Sequence, residues 1–203
     1  CWRKLSVYSR LVLSATGILL LSGWALICLL EWNNPETLGS LSVGSKLLGG
    51  LFQSATLRTA GFDAMNQAGL TAGGKAVSIV LMLIGGSSGS TAGGLKTVTF
   101  LVVLLFIGAR ARGRSTVTVY HRTIPEQQVL NAMTISLIMI VFAVSGGIFI
   151  SATSPVGFTD ALYEAVSALA TVGLTAGATP LLSVPAKILI IIFMYFGRVG
   201  VLT

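Results

Sequence analysis

Two short stretches carry the chemistry legible in this sequence. Leu57-Arg58-Thr59-Ala60-Gly61-Phe62 and Leu169-Ala170-Thr171-Val172-Gly173-Leu174 share a Leu-x-Thr-x-Gly pattern, with Gly61 and Gly173 112 residues apart. The same offset aligns Met82-x-x-Gly85 with Met194-x-x-Gly197, so the chain reads as an internal duplication. Neither stretch holds an obvious catalytic group. What each offers is backbone. A dehydrated monovalent cation needs several oxygens in place of its water, and successive carbonyls supply them where a glycine lets the peptides turn inward. Thr59, Ala60 and Gly61, with Thr171, Val172 and Gly173, are therefore the candidate lining of a cation filter.

Such turns need elements that hold them at membrane depth, and the composition supplies them. Of 203 residues, 54% are hydrophobic and 9% charged, against about 25% charged in a soluble domain. The class is integral membrane protein. The net charge of +7 is not a nucleic-acid signal. Arg3, Lys4 and Arg10 precede the first apolar run, and Arg110, Arg112, Arg114 and Arg122 lie between the two repeats, as cytoplasmic segments do. Cys1 and Cys28 give neither a disulfide framework nor a metal spacing.

Residues 11–30 carry no charge and make one full span, since a core of about 30 Å takes roughly 20 helical residues. Trp24 and Trp32 sit toward its far end, where aromatics favour the interface. Residues 45–57, with Ser45 as N-cap, reach only about 20 Å and read as a re-entrant helix. Residues 76–109 hold one charge, Lys96, and are interrupted by Gly85, Gly86, Ser87, Ser88, Gly89, Ser90, Thr91, Ala92, Gly93 and Gly94. Each glycine costs a helix about 1 kcal/mol relative to Ala, so this is an unwound loop at membrane depth, buried in protein or facing water. The second repeat follows: a span over 127–153, a short helix from Thr159 or Asp160 to Leu169, and an inward span from Ala186. The chain divides into a repeat over 1–109, a basic cytoplasmic loop over 110–126 and a truncated repeat over 127–203. The fold class is all-α integral membrane, two parallel membrane–pore–membrane repeats with re-entrant pore helices. The Cys at position 1 and the apolar run around Thr203 point to a piece of a longer chain.

The residues 52–62, the loop 85–94 with Leu95-Lys96, the stretch 167–174 and Met194-Tyr195-Phe196-Gly197-Arg198-Val199-Gly200 together resemble the Trk/Ktr/HKT superfamily of potassium transporters, most of all the membrane subunit of bacterial Ktr systems. The resemblance implies four repeats around one pore, of which this chain supplies the last two, with potassium held at Gly61 and Gly173 and no cofactor in this chain. It implies that the loop 85–94 is an intramembrane gate below the filter and that Arg198 faces it. A charge at mid-membrane costs about 2.5–3.5 kcal/mol on insertion scales unless it meets a partner or water, and unwound carbonyls are a suitable partner. Further implied are the protein's own N-terminal repeats, a homodimer of membrane subunits, a cytosolic nucleotide-binding regulatory ring, and residence in the cytoplasmic membrane, with the fragment's N-terminus and the 110–126 loop cytoplasmic. Sodium coupling and the potassium-against-sodium preference stay open.

Three residues pull in other directions. Arg58 places a cation beside a cation filter, so its head is expected to turn from the axis toward Asp63 or Glu164. Lys96 begins the lower half-helix and either faces the inner vestibule or anchors that helix. Gly86-Ser87-Ser88-Gly89 matches a rhomboid-type intramembrane serine protease pattern with Ser88 as nucleophile, but the one histidine, His121, lies in the basic loop. A transporter of another small solute usually has inverted repeats, whereas these keep one orientation.

Overall fold

The computed structural model describes residues 7–87, 93–113, 118–119 and 122–199. Helices dominate: α1 (Val7–Glu31), α2 (Val43–Thr56), α3 (Ala72–Leu83), α4 (Thr97–Ala111), α5 (Glu126–Thr153), α6 (Phe158–Leu169) and α7 (Val184–Val199). The basic loop adds a two-residue antiparallel ladder, Thr118–Val119 with Arg122–Thr123, which nothing in the sequence announced. Tyr8–Glu31 and α5 are long and apolar enough to cross a membrane. The 14 residues of α2 and the 12 of α6 reach only about 18–21 Å.

Local chemistry sets the boundaries and moves several expected ones. Ser42, not Ser45, is the N-cap of α2, its hydroxyl accepting from Ser45 N. Thr71 caps α3 by accepting from Gly74 N at 3.0 Å, so that helix starts at Ala72 rather than Ala76. Gly157, with no side chain to offer, precedes α6 in place of Thr159 or Asp160. Ser183 Oγ accepts from Ala186 N at 3.4 Å and opens α7 just before Pro185. The break between α3 and α4 falls where the glycines predict it. A parallel bridge between Ile84 and Leu95 closes its neck, with Leu95 N donating to Leu83 O at 2.9 Å and Thr97 N to Gly86 O at 3.0 Å.

Packing makes α6 the centre. It touches α3, α5 and α7, and every residue from Tyr163 to Leu169 is buried. By contrast α2 packs on α1, leaving Val43, Leu48 and Phe52 exposed. Small residues permit these approaches. A Cβ on Gly50 would lie 2.4 Å from Cys28 Sγ, and one on Gly146 2.3 Å from the Phe193 ring. The Trp24 indole donates to Leu47 O at 2.9 Å and ties α1 to α2. Outward on α1 and α5, Leu13, Ile18, Leu29, Leu137 and Ile148 form apolar faces suited to lipid.

Candidate functional site

Each short helix ends in a fully buried leucine, Leu57 after α2 and Leu169 at the end of α6, which anchors the turn that follows to the core. Beyond them the backbone does something unusual twice. Thr59 has φ 68° and Gly61 φ 74°; Thr171 has φ 56° and Gly173 φ 91°. Among the described residues these threonines are the only non-glycine residues at positive φ. A β-branched residue there is strained by about 1–3 kcal/mol and persists only where its surroundings hold it.

The surroundings are a hydroxyl brace in each turn. Thr56 Oγ1 donates to Phe62 O at 2.7 Å, and the amides of Ala60 and Gly61 return to Thr56 O. In the second turn Ser167 Oγ donates to Leu174 O at 2.6 Å, and Val172 N returns to Ser167 O at 2.9 Å. The brace spans six residues in the first turn and seven in the second, so Thr56 and Ser167 stand one residue out of the 112-residue register. That slip hid the braces from the sequence comparison. With the amides turned back toward the helices, no carbonyl of residues 59–61 or 171–173 accepts a hydrogen bond among the described residues.

The two turns meet. A Cβ on Gly61 would lie 2.1 Å from Val172 O. Behind the first turn, Gln53 and Gln67 exchange amide hydrogen bonds at 2.7 and 3.1 Å; Gln67 Nε2 also donates to Asp63 Oδ1, and Tyr163 Oη donates to Gln67 Oε1, both at 3.1 Å. Behind the second, the buried Glu164 carboxylate accepts from Thr175 and Thr179. Beside it opens a cavity of about 580 Å³ lined by Glu164, Thr171, Gly173, Thr175 and Met194, among others.

Asp63 and Glu164 are thus occupied, and neither partners Arg58. The Arg58 guanidinium goes to the neck below α3: Nη2 donates to Thr97 Oγ1 at 2.9 Å and reaches Gly85 O at 3.5 Å, while Thr97 Oγ1 donates to Gly85 O at 3.0 Å. The carbonyl end of α3 carries partial negative charge, which suits a cation better than a carboxylate already satisfied by other donors. At the other side of the neck, Gly93 N donates to Thr171 Oγ1 at 2.9 Å. Of the expected loop, Gly85, Gly86, Ser87, Gly93 and Gly94 are described; Ser88, Gly89, Ser90, Thr91 and Ala92 lie outside the described residues. Lys96 is the N-cap of α4. Arg198 lies in the last turn of α7, one residue past Gly197, whose Cβ would stand 2.2 Å from Leu169 O.

The sequence model of the TrkH family, described as cation transport protein, matches residues 9–203. The chain belongs to this family. It is 40% identical along its whole length to Ktr system potassium uptake protein B of Vibrio alginolyticus and 37% identical to the protein of that name in Bacillus subtilis, covering 45% of each. It is 36% identical to potassium/sodium uptake protein NtpJ of Enterococcus hirae, with 99% of the chain and 45% of that protein aligned. The crystal structure of the potassium transporter TrkH from Vibrio parahaemolyticus shares the fold: TM-score 0.71 at 22% identity, over 93% of this chain and 41% of that one. The chain spans a little under half the length of the curated relatives it matches. TrkH proteins are ion transporters and not enzymes. Membership sets aside the reading of Ser88 as a nucleophile; Ser88 and His121 both lie outside the described residues.

Proposed function

We propose that this chain is half of a four-repeat potassium pore, with the first two repeats on the same longer protein. Each half-unit here is a membrane–pore–membrane repeat: α1, α2 and the broken α3–α4, then α5, α6 and α7. The repeats occupy residues 1–109 and 127–203, joined by a cytoplasmic loop over 110–126. Thr59, Ala60 and Gly61, with Thr171, Val172 and Gly173, form two walls of the selectivity filter. The loop over 85–94 is the gate below it, Arg198 faces that gate, and Lys96 borders the inner vestibule.

One observation carries this reading. Two turns of matching sequence hold the same rare left-handed conformation, touch each other at Gly61 and Val172, and leave their carbonyls free to accept a cation. The C-terminal, partially negative ends of α2 and α6 lead directly into them. The exposed apolar side of α2, unlike the enclosed α6, gives the missing repeats a surface to pack on.

Potassium is the proposed ion because two of the relatives are named potassium uptake proteins; NtpJ, named for potassium and sodium, supports a mixed monovalent-cation pore as the second reading. Uptake runs across the cytoplasmic membrane through a homodimer of membrane subunits, with a cytosolic nucleotide-binding ring as regulator.

The test is rubidium and potassium uptake by the full-length protein in a strain lacking its own uptake systems. Gly61→Ser and Gly173→Ser are expected to lower discrimination against sodium, because a side chain crowds the carbonyl ring. Unchanged sodium exclusion in both variants would remove the filter assignment. Deleting part of residues 86–94 is expected to raise flux at unchanged selectivity; a loss of selectivity would place the loop in the filter instead.

A further inference from the structure

The α3–α4 neck is gripped from both turns. Arg58 leaves the first turn and holds Gly85 O directly and through Thr97 Oγ1. Thr171, in the second turn, accepts from Gly93 N. Gly85 and Gly93 are themselves in contact, for a Cβ on Gly85 would lie 2.1 Å from Gly93 O. The two turns therefore share one floor. Thr97 is fully buried there, and Arg58 Nε is buried with no partner among the described residues. The guanidinium thus depends heavily on Thr97 and Gly85 for its acceptors.

We propose that Arg58 and Thr97 are positioning residues for ion selection: they fix the first turn from below, through the neck, although neither supplies an oxygen to the ion. This rests on the filter reading above. Arg58 immediately precedes the strained Thr59 in the chain. When its guanidinium loses its acceptor, the side chain must reorient, and the pull falls on the one residue whose φ the turn can least afford to relax. A carbonyl ring selects ions by the number and placement of its oxygens, so a shifted turn discriminates less well. The electrostatics agree. Held at the carbonyl end of α3, the positive charge is countered by that helix terminus and by Gly85 O; a freed guanidinium would bring an uncompensated charge to a cation path.

Thr97→Val separates this role from simple packing, because it keeps the shape and removes the hydroxyl that both accepts from Arg58 and donates to Gly85 O. The full-length protein is reconstituted in liposomes, and rubidium uptake is measured across concentration with and without sodium. Thr97→Val is expected to raise the half-saturating rubidium concentration and weaken sodium exclusion by roughly tenfold, the scale of one charge-assisted hydrogen bond. Thr97→Ser, which restores the hydroxyl, is expected to return both to wild-type values. Arg58→Lys keeps the charge but loses the planar fork, and is expected to match Thr97→Val; it serves where the valine variant does not assemble. Wild-type half-saturation and sodium exclusion in either Thr97→Val or Arg58→Lys, with only maximal flux or melting temperature lowered, overturns the proposal and leaves a structural role. The reading beneath it fails separately: Gly61→Ser and Gly173→Ser would then leave sodium exclusion intact, whatever Thr97 does.

Discussion

Gly61 and the Val172 carbonyl are in van der Waals contact across the two halves of the chain: a Cβ on Gly61 would lie 2.1 Å from that oxygen. Gly173, its counterpart by sequence, meets nothing within 4 Å in this chain. Both glycines have positive φ, so either Gly→Ala change carries the left-handed penalty of about 1–2 kcal/mol. Gly61→Ala adds a backbone clash that no rotamer can relieve. We expect Gly61→Ala to lower the melting temperature of the detergent-solubilised full-length protein clearly more than Gly173→Ala. Equal shifts would mean that the two turns are not in contact.

Thr171 gives a second contrast. Its hydroxyl accepts from Gly93 N, while its backbone sits at φ 56°. Thr171→Val keeps the branched shape but strands that amide, at about 1–3 kcal/mol for an unsatisfied donor. Thr171→Ser keeps the acceptor and eases the β-branched strain. Amide hydrogen exchange at Gly93 is expected to accelerate in the valine variant and stay near wild type in the serine variant. Slow exchange at Gly93 in Thr171→Val would show that another acceptor holds it.

The sequence made the turns visible because Thr-x-Gly recurs at one offset, and the break between α3 and α4 visible because glycines cannot sustain a helix. It left the partner of Arg58 hidden. The residue stands next to Thr59 in sequence, and the carboxylates whose charge suggests them as partners, Asp63 and Glu164, already receive hydrogen bonds from Gln67 and from Thr175 and Thr179. Its acceptor, Thr97, is 39 residues away and is brought there only by the closed neck. Thr56 and Ser167 were hidden by the one-residue slip between the turns. The cap at Ser42 and the ladder at Thr118–Val119 were lost among equally plausible neighbours, the usual fate of boundaries set by a single hydrogen bond.

The halves are also joined at the starts of α3 and α6, where Lys75 Nζ lies 2.7 Å from Asp160 Oδ1. The side chains are 13% and 34% exposed, so the pair is screened only in part. Asp160 also sits in the first turn of α6, where a negative charge suits the helix dipole, whereas Lys75 near the start of α3 opposes it. Asp160→Asn is therefore expected to cost more stability than Lys75→Met, each on the order of 1 kcal/mol. Thermal melts at low and high salt check this: the wild-type advantage over both variants should narrow with salt. A salt-independent gap would place the effect in packing.

Glu31, at the end of α1, is fully buried and accepts four hydrogen bonds: Oε2 from Asn34 Nδ2 at 2.6 Å and Thr37 Oγ1 at 2.8 Å, Oε1 from Thr71 Oγ1 at 2.6 Å and Thr71 N at 3.0 Å. An ionised carboxylate is acceptor-only on both oxygens and has sites for all four donors. Thr71 also caps α3, so this one side chain fixes the loop after α1 to the helix that leads into the neck. Glu31→Gln keeps the size but turns an NH2 toward two donors on one side. It is expected to destabilise by about 2–3 kcal/mol, the cost of setting buried donors against each other and losing charge-assisted bonds. Glu31→Asp keeps the charge but is one methylene short, and is expected to lose less. Melting of the three forms gives the order wild type, Glu31→Asp, Glu31→Gln. An inverted order would mean that reach, not charge, holds the loop.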